Sequence, residues 1–201
     1  GNGKAVGNQF VIRKFIKCLP KPSYKKRKIM NYKELLKDIN TMIFDYDGVL
    51  TDGTVITTER GEQYRTGYVR DGYALHLAIK KGYNVAIISG GTSDSISKRL
   101  ETLDIKDIFT HVSNKIETFH RYLEQKKVSA SQVLYMGDDI PDYKVMQLAG
   151  LPVCPADAAE EIKSISKYIS SYKGGHGCVR DIIEQLMKIQ GTWMNDDAFE
   201  W

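Results

Sequence analysis

The chain has 201 residues, 42% of them hydrophobic and 27% charged, with 29 basic and 25 acidic residues for a net charge of +4. That length suits one domain with a well-buried core, and no apolar run approaches the roughly 18 residues that cross a bilayer. The charge is uneven, because residues 1–33 carry ten Lys or Arg and no acid, while the rest holds 19 basic against 25 acidic residues, a net of −6. An acidic body argues against nucleic-acid binding by the domain itself.

Gly1-Asn2-Gly3 reads like a cloning scar, and Met30 heads an amphipathic helix over residues 31–39. Residues 1–29 are therefore expected to be a basic extension outside the domain, a tag remnant or a start set too early. Phe10, Val11, Phe15 and Ile16 keep a short surface-tethering helix open as the other reading. No signal-peptide h-region is evident. The three cysteines, Cys18, Cys154 and Cys178, are dispersed, which fits a reducing cytoplasm better than disulfides or zinc.

A short apolar run climbs into two carboxylates, so residues 41–46 are read as a buried strand with Asp45 and Asp47 where it ends, before Gly48. Residues 55–58 and 63–69 are β-prone runs around Glu59-Arg60-Gly61-Glu62, the pattern of a hairpin. Asp71 is read as the N-cap of a helix to Lys81, stopped by Gly82. Residues 84–88 are a second buried strand running into Ser89-Gly90-Gly91, followed by a helix over 93–103 and a short strand over 108–112. Lys115 opens a helix to Lys126, and residues 132–136 form a third strand before Gly137-Asp138-Asp139-Ile140-Pro141-Asp142. A helix to Ala149, a strand over 151–154, a helix over 158–164 and a strand over 168–170 follow. Lys173-Gly174-Gly175-His176-Gly177 then turns into a last helix over 179–189. Strands alternating with helices predict an α/β, doubly wound and mostly parallel sheet with helices on both faces.

Such sheets bind ligands beyond the carboxyl ends of their strands. Asp45/Asp47, Ser89/Gly90 and Asp138/Asp139/Asp142 all fall there, and the same alternation brings Lys115 close. Carboxylates from two strand ends are hard oxygen ligands that suit Mg²⁺. A metal beside a hydroxyl, glycine amides and a lysine is a trap for a phosphoryl group. Asp45 is then the nucleophile and Asp47 the proton carrier, with Ser89 and Lys115 holding the phosphoryl oxygens.

Asp45-x-Asp47, Ser89, Lys115 and Gly137-Asp138-Asp139-x-x-Asp142 resemble, in order, the four signatures of the haloacid dehalogenase superfamily. The resemblance implies that Asp45 attacks phosphorus and binds Mg²⁺, and that Asp47 is the acid/base and binds Mg²⁺ through its carbonyl. It further implies that Asp138 is another ligand and that Asp139 and Asp142 support the metal shell or Lys115. Neither the gap between Asp47 and Ser89 nor that between Lys115 and Gly137 has room for a cap domain. A cap-less site either takes a large substrate or is closed by neighbouring subunits.

Asp52-Gly53, Gly61-Glu62, Tyr68-Val69-Arg70-Asp71-Gly72-Tyr73, residues 85–90 and Gly174-Gly175-His176-Gly177-Cys178-Val179-Arg180 resemble the 3-deoxy-D-manno-octulosonate 8-phosphate phosphatase family over about residues 40–191. The resemblance implies a cytoplasmic, Mg²⁺-dependent homotetramer with hairpins packed centrally, acting in lipopolysaccharide precursor synthesis on an eight-carbon keto acid phosphate. A nine-carbon sialic-type 9-phosphate substrate is the sister activity, and a non-catalytic interaction protein on the same fold is the alternative of another class. Tyr68, Arg70, Asp71, Gly72, Gly90 and Arg99 match substrate-binding positions. Gly91 and His76 stand where many relatives have arginine, and His76 is also readable as a half-buried structural histidine. The substrate carboxylate must then rest on Arg70, Arg99 or a neighbour's Arg180. Residues 30–191 are read as the phosphatase domain, and residues 192–201 as a tail that docks on a neighbour near its site.

Overall fold

In the computed structural model, which describes residues 31–199, a six-stranded parallel sheet has the order β5-β4-β1-β6-β7-β8. Its strands are β1 (Thr41–Phe44), β4 (Asn84–Ile88), β5 (Asp107–Phe109), β6 (Val133–Met136), β7 (Leu151–Cys154) and β8 (Tyr168–Ile169). Two short strands, β2 (Ile56–Thr57) and β3 (Gln63–Tyr64), form a separate antiparallel hairpin. The basic extension and the last two residues lie outside the described residues, and so does Cys18.

Period-two alternation sorts the central strands onto two cores. Met42 and Phe44 of β1 join Val85, Ile87, Leu134 and Met136 on one face, while Ile43 joins Ala86, Ile88, Val133 and Tyr135 on the other. The first face is covered by α1 (Tyr32–Leu36), α2 (Val69–Lys80), α3 (Asp94–Glu101) and α7 (Cys178–Ile189). The second is covered by α4 (Lys115–Lys126), α5 (Tyr143–Met146) and α6 (Glu160–Ile165). β1 is fully buried between β4 and β6, which explains the apolar Met42-Ile43-Phe44 that follows Thr41. Cys154 and Cys178 are free buried thiols.

Several boundaries differ from the sequence expectation. β1 stops at Phe44 and the chain turns at once, with Leu50 and Thr51 donating back to the Tyr46 carbonyl. The hairpin ladder spans only Ile56–Thr57 against Gln63–Tyr64, because all four residues are exposed and no second layer extends the pairing. Val69 opens α2 instead of continuing a strand.

Asp71 is not the N-cap of α2, whose N-cap is Tyr68. It caps α7 instead, its Oδ1 accepting from the Arg180 amide at 2.7 Å and its Oδ2 from the Gly177 amide at 3.3 Å. After α7 the described residues of the tail pack on their own chain. Thr192 donates to the Met187 carbonyl, Trp193 packs on the first core face and Tyr73 donates its hydroxyl to the Ala198 carbonyl. The described part of the tail covers its own chain.

No helix of the described residues is long and apolar enough to cross a membrane.

Candidate active site

Three adjacent strand ends and one helix start supply the site. β1, β4 and β6 end at Phe44, Ile88 and Met136, so Asp45, Ser89 and Asp138 emerge on one edge of the sheet. Lys115 is the first residue of α4, which Asn114 caps by accepting from the Glu117 amide. Asp45, Asp47, Ser89, Gly90, Lys115, Asp138 and Asp139 line one open cleft of about 600 Å³. Asp142 lies behind them, fully buried.

Lys115 is the centre of the charge balance. Its Nζ stands 2.8 Å from Asp45 Oδ2 and 2.8 Å from Asp142 Oδ1, with only 8% of its side chain exposed. Burial opposes its charge, but the two carboxylates prevail and hold its pKa above the ordinary value. Burial and the like charge of Asp142 push Asp45 well up, against the pull of Lys115. Asp138 is pushed up to about 7 by burial, then by Asp142 and Asp139. Asp142 raises the proton affinity of both Asp45 and Asp138, and a site with that gathering of negative charge favours an added cation.

The donor set fits Mg²⁺. Asp45, Asp138 and Asp142 each offer an oxygen within 4.8 Å of the others, all hard ligands. A Cβ on Gly48 would lie 2.0 Å from Asp138 Oδ2, and Gly48 has φ +80°, so only glycine allows that carboxylate in. Asp142 Oδ2 is buried and has no hydrogen-bond partner among the described residues, while its Oδ1 takes both Lys115 and the Tyr135 hydroxyl, each at 2.8 Å. Asp142 thus supports Lys115. Asp139 is exposed at the rim of the cleft.

Asp47 faces a different partner. Arg65, just after β3, donates Nε to Asp47 Oδ1 at 2.7 Å and Nη2 to Oδ2 at 3.1 Å. Thr51, fully buried, adds its hydroxyl to Oδ1 at 3.4 Å and accepts from the Gly48 and Gly53 amides. Ser89 Oγ accepts from the Gly91 amide at 3.0 Å, which fixes its rotamer toward the cleft floor.

The residues expected to bind substrate do not all join this cleft. Gly90 does. Tyr68 and Arg70 line a second cleft of about 470 Å³ with Tyr172, His176, Arg180 and Lys188. Asp71 is buried, its two oxygens accept from the Arg180 and Gly177 amides at the start of α7, and it lines a narrow crevice with Tyr68. Gly72 and Arg99 meet in a narrow crevice beside Tyr46, where a Cβ on Gly72 would come 3.1 Å from Arg99 Nη2. Arg99 also donates to Thr102 Oγ1. His76 turns away to Asp104, 3.1 Å off, and lines none of these clefts. Arg180 is held by Glu184 and by the rings of Tyr73 and Trp193 at 5.5 and 5.0 Å.

Arg65, Thr51 and Tyr135 are the site residues that sequence reasoning missed. Arg65 sits in a polar stretch without a motif, and Thr51, between Leu50 and Asp52, carries nothing in its residue type that marks it. Tyr135 reads as a core aromatic and is one, yet its hydroxyl reaches Asp142.

Residues 102–182 match the family of haloacid dehalogenase-like hydrolases. The 3-deoxy-D-manno-octulosonate 8-phosphate phosphatase KdsC of Escherichia coli K12 is 36% identical over 155 residues, spanning 77% of this chain and 82% of that protein. The chain belongs to this phosphatase family. The KdsC protein of Yersinia pestis is 34% identical over 76% of this chain and 82% of its own length. The crystal structure of the Moraxella catarrhalis phosphatase, in complex with magnesium ion, phosphate ion and KDO, superposes with a TM-score of 0.79 at 31% identity, covering 85% of this chain and 97% of that one. The Yersinia pestis phosphatase structure gives 0.79 at 32%, covering 81% and 88%. The α/β sheet and the class of activity, a phosphatase, are those of the family.

Proposed function

We propose that this protein hydrolyses 3-deoxy-D-manno-octulosonate 8-phosphate to the free keto acid and phosphate, with Mg²⁺, in lipopolysaccharide precursor synthesis in the cytoplasm. The observation that carries the reading is that Asp45 pairs with Lys115 at 2.8 Å and has an oxygen within 4.8 Å of one of Asp138, while Asp47 is held separately by Arg65. Asp45 attacks phosphorus, a new Asp45–phosphorus bond forms and the bond to the sugar oxygen breaks. Asp47 gives that oxygen its proton. Asp47 then takes a proton from water, whose oxygen attacks the aspartyl-phosphate and releases Asp45 and phosphate. Lys115, the Ser89 hydroxyl and the Gly90 amide would hold the phosphoryl oxygens, and all three residues line the cleft. Mg²⁺ held by Asp45, Asp138 and the Asp47 carbonyl would offset the negative charge gathered there.

The oligomer belongs to the same reading. Arg70 and Tyr68 lie in a cleft distinct from that of the carboxylates, and the hairpin exposes Val55, Ile56 and Tyr64 at 39%, 60% and 53%. A homotetramer with hairpins packed centrally would cover those side chains and bring cationic residues of one subunit to the cleft of another.

The test is phosphate release from the eight-carbon substrate, with a nine-carbon 9-phosphate beside it, with and without Mg²⁺. The expected result is Mg²⁺-dependent turnover with a higher kcat/KM for the eight-carbon acid, and loss of about 1000-fold or more in Asp45→Asn. Turnover in that variant near the wild-type rate would sink the mechanism. Light scattering at a monomer mass would sink the oligomer.

A further inference from the structure

We propose that Arg65 is a positioning residue for Asp47, through which the hairpin takes part in the reaction. The proposal rests on the reading of Asp47 as the proton carrier. Arg65 directly follows the fully exposed β3, yet its own side chain is only 7% exposed. Its Nε–Nη2 edge meets both oxygens of Asp47, the side-on fork that fixes a carboxylate in plane as well as in distance. The third nitrogen, Nη1, is buried and has no partner among the described residues, and Nη2 reaches Gln63 Oε1 only at 3.5 Å. An orphaned buried donor is costly, so the Asp47 carboxylate is what holds the guanidinium there, in preference to water.

The fork is unequal, and the inequality has a direction. Oδ1 takes the shorter bond from Nε and the Thr51 hydroxyl as well. Oδ2 keeps only the longer contact to Nη2. A Cβ built on Gly91 would stand 3.5 Å from Oδ2 and 3.2 Å from Ser89 Oγ, so Oδ2 and the phosphoryl-holding hydroxyl border the same small space. Oδ1 is anchored and Oδ2 is presented to the reacting group. Asp47 is 32% exposed and stands in a turn, so packing alone does not fix its rotamer. A misplacement of about 1 Å in such a group costs on the order of 100-fold in rate.

A residue that acts by aiming the acid matters only where the leaving oxygen needs a proton. An alkyl phosphate does, and p-nitrophenyl phosphate does not. The experiment measures kcat/KM, which reports the steps through loss of the leaving group, on both substrates. The proteins are wild type, Arg65→Ala, Arg65→Lys, Asp47→Asn and the double variant D47N/R65A. Arg65→Ala is expected to lose about 30- to 100-fold on the sugar phosphate and under about 5-fold on p-nitrophenyl phosphate. Arg65→Lys, which keeps the charge without the fork, is expected to recover part of the loss, and it carries the comparison if the alanine variant unfolds. In the Asp47→Asn background, removing Arg65 is expected to add under about twofold. Equal losses on the two substrates, or a full additional loss in the double variant, would overturn the proposal. Wild-type turnover of p-nitrophenyl phosphate and its loss in Asp45→Asn report the underlying phosphatase reading separately from Arg65.

Discussion

Lys115 and Asp142 form a buried ion pair at 2.8 Å, with 8% and 1% of their side chains exposed. The pair couples the start of α4 to the loop after β6, and the same Nζ reaches Asp45. Asp142→Ala leaves Lys115 buried with one carboxylate instead of two and leaves the Tyr135 hydroxyl without its acceptor. A loss near the lower end of about 3–5 kcal/mol is expected, since Asp45 remains. Urea midpoints of the variant against Asp142→Asn, which keeps an acceptor oxygen, measure it. Lys115→Met is expected to lower kcat about 100-fold or more, as for removal of a donor to a developing oxyanion.

Metal affinity is expected to rest on Asp138. Asp138→Asn keeps the shape of the side chain and removes one anionic ligand beside Asp45. The Mg²⁺ concentration for half-maximal activity should rise about tenfold or more, with kcat partly recovered at high Mg²⁺. An unchanged Mg²⁺ dependence would remove Asp138 from the ligand set.

Asp71 gives stability a pH dependence of unusual sign. Burial raises its pKa from 3.8 to about 6, against the pull of the amides of Arg180 and Gly177. Above about 6 the group is ionised in folded and unfolded chains alike, and the folded state bears the full cost of burying the charge. Between about 6 and 4 the folded chain takes up a proton that the unfolded chain does not. Through that window this group makes the protein more stable as pH falls, by something on the order of 3 kcal/mol. Denaturation at pH 7 and pH 4.5 checks it. Wild type minus Asp71→Asn should shift in favour of wild type at the lower pH, other carboxylates cancelling in the difference.

Gly174 fixes the C-terminal loop against the loop after Asp47. A Cβ there would stand 1.9 Å from the Gly48 carbonyl oxygen and 2.6 Å from its carbon, both backbone atoms that cannot rotate away. Gly175 also donates to the Val49 carbonyl at 2.9 Å. Gly174→Ala is expected to destabilise the protein by about 2 kcal/mol or more and to lower kcat, because Gly48 borders the Asp138 carboxylate. A melting temperature and rate like those of wild type would contradict this. Gly191→Ala, with open space at its Cβ but φ +70°, is a control for backbone strain alone.

The α/β layering and the candidate carboxylates were legible because each rests on local rules. A buried parallel strand is a short apolar run, and its end is where the first polar residues stand, so Asp45, Ser89 and Asp138 declare themselves. Boundaries were less legible. Whether the chain stays extended after Phe44, or Val69 belongs to a strand or a helix, depends on what packs against those residues.

By itself, the sequence determined the α/β layering, the three strand ends and Lys115 at a helix start, all set by apolar periodicity and the polar residues that interrupt it. Tertiary structure alone decided which charges meet. Asp71 and Arg180 are separated by 109 positions, and Lys115 and Asp142 by 27. Arg65 reaches Asp47 across 18 residues, from a hairpin whose exposed strands give no sign of it. Hydrogen bonds and ion pairs act over about 3 Å in space, and only the folded chain says which distant residues come that close.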